Sequence, residues 1–242
     1  ARSARTLYSS TSSAAASPCS DPSASKCPST ASSDAAASSA RAWAVSGSGS
    51  GELASSSPNQ RMTQEISMTV EGQFKTLSNG LLINSKKNND GTRTDTWKQT
   101  LPHAPYLTMM AAGDFTVIND SWHGKPVDYY VEPQNAADAK VLFGRTPQML
   151  EFFSKKLGME FPWEKYSQVV VRDYVSGAME NTSATVHGTE MTMRTRRQML
   201  DGNSDDVIAH ELFHQWFGDY VTCESWSNLP LNEAFANYGE YL

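Results

Sequence analysis

Two histidines flanking a glutamate, in His210-Glu211-Leu212-Phe213-His214, are the residues with the clearest capacity for chemistry. On a helix, residues four apart project from one face a turn above one another, so both imidazoles can reach a single ion. Two histidines leave a Zn²⁺ short of ligands, because hydrolytic zinc sites take three protein ligands and a water. Glu233, in the next apolar run, Pro230-Leu231-Asn232-Glu233-Ala234-Phe235-Ala236, is the expected third ligand. Glu211 lies beside the ligand face, where a carboxylate can take a proton from water as a general base. The chemistry implied is metal-assisted hydrolysis.

Such a site needs rigid elements to hold it. Ser204 is expected to cap the histidine helix, with Asp205 and Asp206 placing negative charge at its positive end. Val207, Ile208, Leu212, Phe213, Trp216 and Phe217 surround the segment with apolar surface. A helix apolar on most sides is a buried one. Burying Glu211 and two histidines there is costly unless something charged pairs with them. For the pentapeptide alone, two satisfied histidines on an ordinary helix are the competing reading. The helix of Glu233 would carry Asn237 and Glu240 on nearly the same face, where either could hold a ligand imidazole in one tautomer. A solvated face is the plainer role for Glu240.

The spacing of His210-Glu211-x-x-His214 and Glu233 resembles the zinc signature of the aminopeptidase N type of zinc metallopeptidase. A second motif, Gly177-Ala178-Met179-Glu180-Asn181, matches the family's exopeptidase motif letter for letter. The resemblance runs from about Pro58 to Leu242. It implies an α+β fold: a partial β-rich amino-terminal domain over 58–134, then the first part of a thermolysin-like zinc catalytic domain over 135–242, truncated at its carboxyl end. It implies one Zn²⁺ per chain and peptide substrates with a free amino terminus. Gly177, Ala178 and Met179 would line the substrate backbone, Glu180 would bind the free α-ammonium, and Asn181 would give structural support. A carboxylate in a closed pocket pairs well with an amine and poorly with an internal amide. Glycine at 177 would let an extended peptide approach a strand edge.

Departures from the family pattern stand at Thr182, where members commonly have Trp, and at His187, where they commonly have Tyr. His187 is expected to line a pocket rather than ligate, since three ligands are already assigned. The family's oxyanion-steadying Tyr, well downstream of the third ligand, is expected to lie beyond Leu242. Two other readings remain open: a truncated, non-catalytic zinc-binding fragment, and an epoxide hydrolase or endopeptidase of the same fold.

The remaining chain offers little chemistry. Across 242 residues the formal net charge is −6, which gives no electrostatic reason to expect nucleic acid. No apolar run approaches the roughly eighteen residues of a membrane span. Cys19, Cys27 and Cys223 are too few for a disulfide framework and lack metal-site spacing. Residues 1–57, rich in Ser and Ala, cannot bury enough surface to offset ordering, and a disordered tail is expected there.

Alternation at Ile66, Met68 and Val70 predicts a strand, and Ser78-Asn79-Gly80 and Asn88-Asn89-Asp90-Gly91 predict turns. Further strands are expected at 92–98, 106–110, 115–118 and 127–131, with His103 and His123 as polar loop residues. Thr146-Pro147 is expected to cap a helix whose face is Met149, Leu150, Phe153 and Leu157, ended by Gly158. Gln168-Val169-Val170-Val171 should open a strand leading to the second motif.

Overall fold

The structure, a computed structural model, describes residues 57–242 and the backbone of one strand before them. Eleven strands follow in the order β1 (Arg41–Ala44), β2 (Met62–Glu71), β3 (Lys75–Ser78), β4 (Leu81–Lys87), β5 (Thr92–His103), β6 (Met109–Gly113), β7 (Thr116–Trp122), β8 (Lys125–Val131), β9 (Tyr166–Val171), β10 (Ala178–Met179) and β11 (Ala184–Gly188). Helices α1 (Ala136–Phe143) and α2 (Thr146–Leu157) precede β9; α3 (Thr189–Thr192), α4 (Asp205–His214) and α5 (Pro230–Tyr241) follow β11. The fold is α+β. The expected tail over 1–57 lies almost wholly outside the described residues, as do Cys19 and Cys27. Within that stretch, Arg41–Ala44 pairs antiparallel with β6.

Three sheets form, ordered β1-β6-β3, β2-β5-β4 and β10-β11-β9-β8-β7. The third is central to function. Its strand β9 is buried at every residue, as expected of a parallel strand covered on both faces. One face packs Val170, Tyr129 and Tyr166 against Leu150 and Phe153 of α2 and Ile208, Leu212 and Phe213 of α4. The other packs Val169, Val171 and Val186 against Leu77, Trp97 and Met109 from the smaller sheets. The helix layer and the β layer therefore share one sheet as a wall.

Several local expectations need correcting. The segment expected as a strand from 106 splits into a 3-10 turn, Pro105–Leu107, and β6. Ser204 stands at the start of α4 but makes no cap bond; its hydroxyl donates to Thr192 O at 2.8 Å. Thr146 lies inside α2 rather than before it, and its Oγ1 accepts from Gln168 Nε2. His103 is no loop residue: it ends β5 fully buried, with Nε2 3.1 Å from Gln64 Oε1. His123 does sit in the β7–β8 turn at φ 47, followed by Gly124 at φ 77. Gly158 ends α2 in the left-handed conformation at φ 64. Because β8 pairs with β7 on one side and with β9 on the other, one sheet runs continuously across residue 134.

Candidate metal centre and its surroundings

Helix α4 carries His210 and His214, and α5 brings Glu233 in its first turn, after Pro230 in the opening positions. The two helices cross closely because residue 239 is glycine. A Cβ there would lie 2.6 Å from Phe213 Cγ and 2.7 Å from Cδ2. At this crossing His210 Nε2 and His214 Nε2 stand 3.0 Å apart. Glu233 Oε2 lies 3.4 Å from the first and 3.6 Å from the second.

The other ring nitrogens fix the tautomers. His210 Nδ1 meets Glu240 Oε1 at 2.6 Å, and His214 Nδ1 meets the Phe217 carbonyl at 3.0 Å. Both partners only accept, so each neutral ring carries its proton on Nδ1 and turns an Nε2 lone pair inward. With both rings neutral, three electron-rich atoms face one another, and protonation of either ring would let its Nε2–H donate to Glu233. A tetrahedral ion with bonds of about 2.0–2.2 Å would have ligand–ligand edges of about 3.3–3.6 Å. The two edges to Glu233, 3.4 and 3.6 Å, match this span, the His210–His214 edge of 3.0 Å is shorter, and the donor set fits Zn²⁺. Asn237 is exposed and makes no hydrogen bond to either ring.

The same electrostatics appear in the proton affinities. Burial opposes protonation of His210, but hydrogen bonding to Glu233 and the nearby acidic groups outweigh it, and its pKa lies above the ordinary value. His214 behaves alike, burial being overcome chiefly by Glu233. His210 and then His214 hold Glu233 far below the usual carboxylate range. Glu211 is 7% exposed, and its Oε2 has no hydrogen-bond partner among the described residues. Burial, and after it the Glu180 charge, push the Glu211 carboxyl well above its ordinary value. A divalent cation beside it would act in the opposite sense.

Glu180 sits 7% exposed on the turn after β10, an edge strand of the central sheet. Gln215, directly after α4, clamps this turn to the end of that helix: its Nε2 donates to Glu180 O at 2.9 Å, and its Oε1 accepts from Ser183 N at 2.8 Å. From the β layer, Asn79 Nδ2 donates to Thr182 O at 2.7 Å and to Leu107 O at 3.0 Å. Asn181 Nδ2 also donates to Leu107 O. Gly177 is favoured by its φ of 77; a Cβ there would also meet the Met191 sulfur at 2.4 Å, but that exposed side chain is flexible enough to move aside. The backbone conformation is a more local reason for glycine than room for a second backbone. Ala178 and Met179 of β10 are half-buried and pair with β11 on one side.

His187 is fully buried, with Nε2 3.0 Å from Gln168 Oε1 and Nδ1 3.3 Å from Thr192 Oγ1, and takes no part in the triangle. Cys223 is buried and free. Gln215, Asn79 and Asn232 are site-supporting residues that sequence reading missed. Only Asn79 carried a signal, as part of a turn motif, and that signal gave no sign of a buried clamp.

Residues 142–242 match the peptidase family M1 domain. This segment belongs to peptidase family M1. Over 189 residues the chain is 31% identical to the glutamyl aminopeptidase of Sus scrofa, covering 76% of the chain and 20% of that relative. The Rattus norvegicus protein of the same name is 33% identical over 193 residues, with the same coverage. Aminopeptidase 2 of Candida albicans is 31% identical over 186 residues, 72% of the chain and 19% of the relative. The chain therefore spans about a fifth of the length of these curated relatives. The M1 match begins at residue 142, within α1, and includes all three atoms of the triangle. Among the described residues no helix is long and apolar enough to cross a membrane.

Proposed function

We propose that the chain carries the zinc-binding and amine-recognising part of a metallo-aminopeptidase that hydrolyses the amino-terminal peptide bond of peptides. The observation that carries this reading is the inward triangle of His210 Nε2, His214 Nε2 and Glu233 Oε2 beside a buried, unpartnered Glu211. When bound, Zn²⁺ supplies a Lewis acid that polarises a carbonyl and makes water nucleophilic near neutral pH. His210, His214 and Glu233 would hold it, with Glu240 fixing His210 and the Phe217 carbonyl fixing His214. Glu211 takes the proton from the attacking water on its carboxylate and returns it to the leaving amine. Its unpartnered oxygen is free for that exchange.

Glu180 gives the reading its exopeptidase sense. Its buried carboxylate makes no hydrogen bond among the described residues, and its charge is near enough to raise Glu211. A peptide's α-ammonium would satisfy it, whereas a blocked terminus would leave a buried charge unpaired. Gly177, Ala178 and Met179 line the approach at the sheet edge, and Asn181 braces the turn. The names of the relatives, glutamyl aminopeptidase and aminopeptidase 2, agree with this class.

Zinc binding without turnover is a second reading, favoured by one observation. Helix α5 exposes Leu231, Phe235, Tyr238 and Tyr241, so one wall of the site has no cover among the described residues. Aminoacyl p-nitroanilides, with and without amino-terminal acetylation, separate the readings when assayed on the zinc-loaded chain and on the longest parent protein. Cleavage of free-amine substrates alone supports the proposal. In the parent, Glu211→Gln should retain zinc and lose turnover by about 10²–10⁴. Equal cleavage of acetylated substrates would transfer the site to an endopeptidase.

A further inference from the structure

Tyr106 reaches the metal centre from the opposite layer of the molecule. It lies in the 3-10 turn Pro105–Leu107 just before β6, and its ring meets Trp226 edge-on at 4.9 Å. Its hydroxyl stands 3.4 Å from the Gly218 carbonyl and 3.3 Å from Asn232 Nδ2. Neither contact is strong alone. Their importance lies in which two segments they join.

Gly218 follows α4 and packs on the ring of His214: at φ 137, a Cβ there would come within 3.0 Å of His214 Nδ1. Asn232 directly precedes Glu233 and is 1% exposed, its Oδ1 accepting from Cys223 N at 3.2 Å. One hydroxyl thus touches the backbone beside one metal ligand and the side chain next to another. Burial, and then the Glu180 and Asp219 charges, keep the phenol protonated, so it can donate to Gly218 while accepting from Asn232. The loop joining α4 to α5 has a second anchor in the same layer. Arg61 Nη2 donates to Tyr220 O at 2.6 Å and to Thr222 Oγ1 at 3.1 Å.

We propose that Tyr106 is a positioning residue of the metal centre, holding His214 and Glu233 at ligand separation through Gly218 and Asn232. Metal affinity is then set partly from the β layer, outside the helices that supply the ligands. The inference rests on the zinc reading above. Groups that orient ligands typically change metal affinity about 10–100-fold when removed, and the length of these contacts places Tyr106 near the lower bound.

The test is competitive zinc titration of the full chain against a chromophoric chelator, with thermal melting of the metal-free protein alongside. Tyr106→Phe keeps the ring on Trp226 and removes only the hydroxyl. It should weaken zinc about tenfold while leaving the metal-free melting temperature unchanged. Tyr106→Phe combined with Asn232→Ala should be no weaker than the worse single variant, because both break one linkage. Tyr129→Phe, which removes a hydroxyl elsewhere in the core, should leave affinity unaltered. Wild-type affinity in Tyr106→Phe, additive losses in the double variant, or a loss accounted for by metal-free destabilisation would each overturn the proposal. If the wild-type chain takes up no zinc at all, the metal reading itself fails and takes this inference with it.

Discussion

Replacing Glu240 by alanine removes the acceptor for His210 Nδ1–H, now 2.6 Å away. Without it, the ring can rotate or change tautomer, and the Nε2 lone pair is no longer held inward. A hydrogen bond to a charged group contributes about 1.5–3 kcal/mol. The Glu240 side chain is 33% exposed, so solvent screening places its contribution at the lower end. About 1.4 kcal/mol is tenfold in an equilibrium constant, and a tenfold rise in the zinc dissociation constant is the expected result. Glu240→Gln keeps a carbonyl acceptor without the charge and should fall between the two. Competitive titration against a chelator measures the constant, and circular dichroism of the metal-free protein monitors folding. Zinc affinity within about twofold of wild type in Glu240→Ala would refute the role assigned to this residue.

Gly239→Ala should force α5 away from Phe213, since the added carbon has no space. Overpacking costs about 1–3 kcal/mol, partly offset by about 1 kcal/mol of helix preference. A lower denaturant midpoint together with weaker zinc binding is expected, and an unchanged midpoint would contradict the close crossing. Acid should destabilise the metal-free fold through two buried neutral histidines. Burial lowers His103 and His187 from 6.5 to about 3. Between those values the unfolded chain binds more protons at these two sites, so their contribution is full above pH 6.5 and falls as pH drops. Glu211, held protonated by burial, contributes a slope of opposite sign above its ordinary value. The two histidines together give a slope of about 2.7 kcal/mol per pH unit. Urea midpoints across pH 4–6 measure it, and His187→Gln should roughly halve this part of the slope. Zinc affinity should also fall with pH, because protons compete for His210 and His214, whose pKa values lie above the ordinary histidine value.

The approach of His210, His214 and Glu233 to one another was legible because their spacing is local. Four residues on a helix fix the relation of His210 to His214, and an apolar run after Pro230 announced a second helix for Glu233. Glu240 was placed on the correct face by periodicity, yet its contact with His210 depends on the α4–α5 crossing angle. That angle is set by Gly239 against Phe213, a long-range fact. Gln215 and Asn79 were illegible for the same reason: each clamps backbone far away in sequence, and isolated Gln and Asn carry no period. Ser204 and Thr146 had the right composition for caps, but tertiary acceptors and donors, Thr192 O and Gln168 Nε2, claimed their hydroxyls. His103 gives no strand signal because the strand it ends, β5, runs on past the segment expected at 92–98. The sheet crossing residue 134 was hidden because β8 and β9 pair in parallel across two intervening helices.

Metal analysis after equilibrium dialysis tests the central claim most directly. The zinc-loaded chain should hold about one zinc per molecule. His210→Ala, His214→Ala and Glu233→Ala should each abolish that uptake without unfolding the β layer, while Glu211→Gln retains it. No zinc in the folded wild-type chain, or full zinc in a variant lacking one of the three ligands, would contradict the account.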